Sequence, residues 1–406
     1  MIQLLTKRAR CAPSLALSLL LALGGCSWFS DEIEVRVPVE LVKFKAEVKL
    51  VDRWSVNLGK GAEDSAIKLI PGLVGGRIYA ASADGNVVAV DTGTGKVVWK
   101  QSIVDFYAED ERAIAFADGI DAITGGVGVG GSLVVVGSAA GEIVALQQVD
   151  GSLAWRATTT SEVLAPPQVV NDKVFAQSID GKIAAFDAAS GKRKWLYSTT
   201  IPSLTLRGTS TPIADKDFLI GAFANGRMVM LDQNRGQLGF EQRAGIGQGQ
   251  SDLERLVDID GQMVLDGSVL YAVAYQGNLV AIDLSAKGQV RWSREASSIV
   301  GLGTGFGNIY LASEDSRLTA ISKDTTADVW TTEALLYRDI TTPVAVSSYV
   351  AVGDFEGYLH LIAQSDGRFV GREKLDNAGL TAPVIADGSR IYVISNSGRL
   401  LALEVR

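Results

Sequence analysis

The sequence predicts an all-β fold, an eight-bladed β-propeller with four antiparallel strands per blade. Three observations predict it. One phrase recurs along the chain, seven times in full and once truncated. Each copy holds short apolar runs separated by glycine turns. The truncated last copy lacks an ending that is found, unmatched, near the N-terminus. A period of 40-odd residues built from short strands is the mark of a propeller, and each unit must stack on its neighbours to bury its faces.

The phrase reads RIYAASADGNVVAVDTGTGKVVW at 77–99 and LVVVGSAAGEIVALQQVDGSLAW at 133–155. It returns at 173–195, 218–240, 269–292, 308–330 and 349–371, and is cut short at 390–406. Its first turn is marked by Gly85, Gly141, Gly181, Gly226, Gly277, Gly357 and Gly398, with Ser316 in the same register. Asp84, Asp180 and Asn225 precede three of these glycines. Asp-Gly and Asn-Gly favour a type I′ hairpin, whose two central residues both take positive φ. The strand after the turn is apolar on both faces, as in NVVAVD, KIAAFD and RLLALE. A strand of that kind is covered on both sides, which neighbouring blades would do. Large residues (Val87, Ile143, Ile183) alternate with alanines two positions on (Ala89, Ala145, Ala185), suiting a wedge-shaped blade.

The next strand ends in an aromatic: Trp99, Trp155, Trp195, Phe240, Trp292 or Trp330. A further strand precedes each hairpin, often near a proline (Pro71, Pro167, Pro212, Pro343, Pro383), a residue that a strand tolerates at its start. The final copy stops at Arg406 without its tryptophan, while Trp54 stands alone in LVDRWSVNL (50–58). The N-terminal strand is therefore expected to complete the eighth blade and close the ring, which removes free blade edges at the seam.

Residues 1–25 read as a targeting segment. Lys7, Arg8 and Arg10 precede LALSLLLAL (15–23), a run too short to span a bilayer. Small residues then lead to Cys26, and Leu-Gly-Gly-Cys resembles a bacterial lipobox, which implies cleavage before Cys26 and its lipidation. Ser27 in place of Asp implies the outer membrane, with the protein lipid-anchored at the periplasmic face. The alternative is an ordinary secretory signal with an incidental cysteine. Residues 26–48 are polar, without a clear period, and are expected to form a lipidated flexible tether; the propeller would occupy 49–406.

Removing the leader's three cations leaves 35 basic against 46 acidic residues, a net charge of −11. That balance argues against nucleic acid and against broad adhesion to anionic lipid. Cys11 leaves with the leader and Cys26 would be lipidated, so the folded body has no thiol and relies on its core.

Catalysis has thin support. His360, the one histidine, occupies a repeat position otherwise held by residues such as Val88, Val144 and Leu401, and reads as a satisfied buried side chain. GGVGVGG (125–131) and GIGQGQ (245–250) lack a Lys-Ser/Thr ending and are weak phosphate loops. Asp258, Asp260 and Gly261 hint at calcium, but an Asp-Gly turn explains them better. No cofactor, catalytic residue or metal site is expected.

The insertions carry more. Spacing along the turn glycines places extra residues at about 101–132, at 201–211 and at 241–268. Long loops on a rigid scaffold are where binding concentrates. In IPSLTLRGTST (201–211), Leu204 and Leu206 would share a face if extended, with Arg207 beside them, a set that suits a protein-binding anchor. The same pattern equally reads as a strand feeding the core. SDLERLVDIDG (251–261) offers carboxylates and the apolar pair Leu253 and Leu256, and equally reads as a solvated loop.

With SLTLRG (203–208), ERLVDID (254–260), VGDFEGYL (352–359) and the lipobox in one chain, the sequence resembles the BamB family, the propeller lipoproteins of the outer-membrane β-barrel assembly machinery. The likeness runs from Trp54 to the C-terminus. It implies a non-catalytic scaffold that docks on the periplasmic domains of BamA and assists folding and insertion of outer-membrane β-barrel proteins. The docking residues it implies are Leu204, Leu206, Arg207, Asp258 and Asp260. Unfolded clients could add to outer blade strands by β-augmentation. Quinone-dependent dehydrogenases share the repeat, so an enzyme of that kind is an alternative, as is a propeller that binds a sugar or peptidoglycan ligand.

Overall fold

The computed structural model describes residues 36–406, apart from 63, 64, 66 and 116–121. The targeting segment and Cys26 lie outside the described residues. Eight four-stranded antiparallel sheets make eight blades. Blades 1 to 7 span 72–102, 125–158, 168–198, 213–243, 264–296, 302–332 and 344–374. Blade 8 is built from Ile385–Asp387, Arg390–Ile394 and Arg399–Val405, with Leu50–Asn57 hydrogen-bonded to the last of these. The N-terminal strand thus closes the ring, as the missing aromatic requires. Trp54 pairs across the seam with Ala402.

The repeat pattern explains the core. In blade 1 the central hairpin Arg77–Ala81 and Asn86–Asp91 is almost wholly buried, on both faces. Blade 8 and blade 1 share one apolar cluster, in which Tyr392, Leu400 and Ala402 meet Ile78, Val88 and Val90. The wedge alternation is met in register: Ala89 lies opposite Tyr79 on one side and Trp99 on the other, so a small residue sits between two large rings.

The closing aromatics do more than fill space. The Trp54 indole N–H donates to the Thr92 carbonyl of blade 1 at 3.0 Å. Trp99 donates to Gln148, Trp155 to Ala188, Trp195 to Gln233 and Trp330 to Gln364, each time in the next blade. The indole lies over the glycine of that blade's second turn. A Cβ built on Gly95 would stand 2.5 Å from Trp54, and one on Gly151 would stand 2.7 Å from Trp99. These glycines are also at positive φ, 73° and 75°, so backbone conformation and neighbour both exclude a side chain.

Three expectations change. The first turn is not type I′, because Asp84, Asp180 and Asn225 are absent from the positive-φ residues, whereas Gly85, Gly181 and Gly226 have φ of 98°, 79° and 69°. Gly85 N donates to Ser82 O, so an ordinary turn is followed by one left-handed glycine, the pattern of slightly longer hairpin loops. In blade 5 the left-handed residue is Gln276, φ 48°, and Gly277 already begins the strand. Secondly, GGVGVGG is not loop: Gly125–Gly130 is the inner strand of blade 2. A Cβ at Gly128 would stand 1.9 Å from the Pro167 carbonyl of blade 3, so the glycines permit close approach near the axis. The first insertion is correspondingly shorter, and carries a 3-10 turn (Ile103–Phe106) and the helix Glu109–Ala115. Tyr107 there bonds Glu142 of blade 2 and stacks under the Arg156 guanidinium, 4.1 Å away.

Thirdly, the flexible tether expected over 26–48 does not extend to 48. From Pro38 the chain belongs to the same compact unit as the propeller. Val39 N donates to Leu336 O, and Glu47 N and Val48 N both donate to Val370 O on the outer strand of blade 7. The Arg368 guanidinium holds the Glu47 carboxylate through two bonds of 2.9 Å. The alternation of Val42, Phe44, Ala46 and Val48 with Lys43, Lys45 and Glu47 is the sequence signal of this docking that the tether reading passed over.

Candidate functional site

The loops 201–211 and 244–261 are the two insertions flanking blade 4, and the structure joins them. Leu256, Val257 and Ile259 are buried, the last two in the blade 4–5 core cluster, and they fix the second loop from below. Tyr275 N donates to Asp258 O at 2.7 Å, tying the loop to blade 5. Asp258 is 1% exposed, and its Oδ2 accepts a hydrogen bond of 3.1 Å from the Leu206 N–H of the first loop. Ser210 donates to Gly261 O at 2.8 Å. A Cβ on Gly208 would lie 2.6 Å from the Asp260 carboxylate, so a glycine is needed for the loops to touch. Gly261 is likewise a close-approach residue, set against Gly301, and not a turn residue.

Five predicted residues therefore come together but divide by task. Leu204 is 43% exposed, Leu206 is half-buried and Arg207 is exposed. Asp258 and Asp260 are turned inward, and Asp258 holds the loop through the Leu206 N–H. The Leu253–Leu256 pair is split: Leu253 is 63% exposed and Leu256 is core. Arg207 already has a carboxylate, Glu162 of the blade 2–3 connection, at 2.8 Å. That residue was missed in the sequence, since nothing about a lone Glu 45 positions away signals the pairing.

The electrostatics follow from burial. Loss of solvent raises the Asp258 carboxyl well above the usual carboxylate range, and the adjacent Asp260 raises it further. Burial also raises Asp260, with the Lys68 ammonium and the Asp258 hydrogen bond pulling the other way. One Oδ1 on each acid finds no hydrogen-bond partner among the described residues. Burial in turn lowers the Lys68 ammonium. The first loop borders an open cavity of ≈ 340 Å³, lined by Leu206, Arg207, Thr209, Asp260, Lys68 and Ile299 among others. The loop's backbone is held by Asp258 and Gly261 of the second insertion. Such an arrangement can present an apolar and cationic anchor to another protein.

The sole histidine, His360, is 0% exposed and bonded at both ring nitrogens, to Asp354 and Arg372.

The family profile described as outer membrane protein assembly factor BamB matches residues 46–120 and 83–332. The outer membrane protein assembly factor BamB of Pseudomonas aeruginosa is 42% identical over 390 residues, covering 96% of this chain and 98% of that protein. The Escherichia coli protein of the same name is 34% identical over 384 residues, covering 94% and 95%. The crystal structure of BamB from Moraxella catarrhalis superposes with a TM-score of 0.76 at 27% identity, over 88% of this chain and 100% of that one. A quinohemoprotein alcohol dehydrogenase from Comamonas testosteroni superposes with a TM-score of 0.69 at 15% identity, over 87% and 76%, a likeness of fold alone. Near-complete coverage by relatives above 30% identity, on the same eight-bladed ring, places the chain in the BamB family of outer membrane protein assembly factors.

Proposed function

We propose that this chain is a non-catalytic scaffold of outer-membrane protein assembly that docks on the periplasmic domains of BamA. The observation that carries the reading is the clamp between the two insertions. Asp258 and Ser210 spend their hydrogen bonds on loop geometry, and that geometry leaves Leu204 and Arg207 outward. Leu204 and part of Leu206 would enter an apolar groove on the partner, while Arg207 meets a carboxylate there. Its bond to Glu162 keeps the guanidinium extended beforehand, which lowers the ordering cost of binding. Cys26 would carry the lipid anchor that holds the ring at the periplasmic face of the outer membrane.

Replacing Leu204→Ala together with Arg207→Ala tests this. Co-purification with BamA is expected to be lost, with thermal unfolding unchanged, because both side chains are exposed and neither holds the clamp. Retained binding at wild-type level would remove these residues from the interface.

A further inference from the structure

The ring holds its N-terminal segment 38–48 against blade 7 through two arginines, Arg372 bonded to the buried His360 and Arg338 bonded to the aspartate that His360 meets. Arg338 Nη1 donates to Val39 O at 3.0 Å and Arg372 Nη1 donates to Val42 O at 2.9 Å. Between these carbonyls, Leu41 packs on the blade 6–7 core. Phe44 packs against Phe369, rings tilted 36° with centroids 5.7 Å apart, and lies 5.0 Å from the Arg372 guanidinium. Inside, Arg372 Nε donates to His360 Nδ1 at 3.0 Å, and His360 Nε2 meets Asp354 Oδ2 at 2.9 Å. We propose that His360 is a proton-operated release for this segment: protonation of the imidazole turns Arg372 away and frees the chain around Val42 and Phe44.

The hydrogen bonds determine the starting state. Because Arg372 Nε–H points at Nδ1, that nitrogen carries a lone pair, so the ring is neutral with its proton on Nε2, donated to Asp354. A second proton can go only to Nδ1. There it replaces an acceptor by a donor facing another donor, and sets an imidazolium against a guanidinium. Asp354 cannot resolve the conflict, because Arg338 Nε also bonds it, at 2.9 Å.

One of the two arginines must yield, and their partners decide which. Arg338 is 3% exposed and bonded to both Asp354 and Glu356. Arg372 has no carboxylate within ion-pair range among the described residues; it has His360, the Val42 carbonyl and the faces of Phe44 and Phe369. Arg372 is therefore displaced, and with it go the Val42 bond and the Phe44 contact. The other neighbours of His360 are the rings of Tyr358 and Phe369. Burial, opposed by Asp354 and assisted by Arg372 and Arg338, lowers the imidazole below its ordinary range. The stretch around Val42 and Phe44 thus stays latched at neutral pH and lets go in acid, while Val39, held by Arg338 and Leu336, and Glu47, held by Arg368 and Val370, stay in place.

The test uses the full chain with 4-fluorophenylalanine at Phe44 and follows fluorine resonance from pH 7.5 to 4.5. The imidazole C–H resonances report His360 directly, because the chain has one histidine. The Phe44 signal is expected to shift and narrow with the same midpoint as His360, below pH 6.5. In His360→Val, a residue that blades 1 and 2 carry at this position as Val88 and Val144, the Phe44 signal should not titrate over that range. A Phe44 signal that does not move, that moves with a different midpoint, or that titrates equally in His360→Val would overturn the proposal. Should His360→Val fail to fold, the comparison of the two midpoints in the wild-type chain decides alone.

Discussion

Asp258 is where one side chain carries most of the consequence. Its buried carboxyl is more basic in the folded protein than in the unfolded chain, where it titrates near the ordinary value. The folded state therefore holds the extra proton, and stability falls as pH rises from the unfolded pKa through the folded one. Each unit of difference corresponds to about 1.4 kcal/mol, so a few kcal/mol should be lost between mildly acid and mildly alkaline pH. Asp258→Asn keeps an oxygen for the Leu206 N–H and has no proton to lose. Urea unfolding at pH 6 and pH 9 should show the wild type weakening more than the variant, in which only Asp260 is left to titrate. Equal losses in both proteins would show that this carboxyl is not the titrating group. Asp-x-Asp was visible in the sequence as a possible ligand or turn. That it is a buried pair was not, because burial depends on Tyr275 and Leu206, which come from other elements.

At the scale of the element, the unit of construction is the contact between a closing aromatic and the next blade's turn glycine. Trp99 is 9% exposed and spends its indole N–H on Gln148 O. Trp99→Ala should cost about 3–5 kcal/mol, the range for deleting a large buried aromatic. Gly151→Ala should cost about 1–3 kcal/mol from backbone strain at φ 75°, plus the clash with the indole. The two substitutions together should cost less than their sum by about 0.5–3 kcal/mol, since removing Trp99 removes the clash and leaves only the strain. Denaturant midpoints for the two single variants and the double variant measure this. Strict additivity would mean the glycine is required by its φ alone. Both residues recur at fixed spacing and were legible as turn and strand end. Their partnership was not, since Trp54, Trp99, Trp155, Trp195 and Trp330 each meet the turn glycine of the following blade and not their own.

For the whole molecule, the seam decides whether eight wedges behave as one ring. Blade 8 borrows Leu50–Asn57 from the other end of the chain, and Trp54 carries the seam's version of the indole contact. Trp54→Ala should loosen blade 8 first. Hydrogen exchange is expected to quicken in Leu50–Asn57 and Arg399–Val405, while the strands of blades 3 to 5 keep their protection. Uniform quickening would mean that the ring opens only as a single cooperative unit. The insertions around blade 4 are held by blade cores on either side, so these two loops should be insensitive to this change.

The repeat by itself determined the number of blades, the order of strands, the closure by the N-terminal strand and the two long insertions that flank blade 4. Periodicity and turn chemistry are local, and they survive in one dimension. Only the tertiary structure decided which carboxylates face inward, that Arg207 rests on Glu162, that GGVGVGG is a strand, and that residues 38–48 lie latched on blade 7. Each of those depends on groups brought together from distant positions, where a charge or glycine acquires its role from neighbours that spacing does not specify.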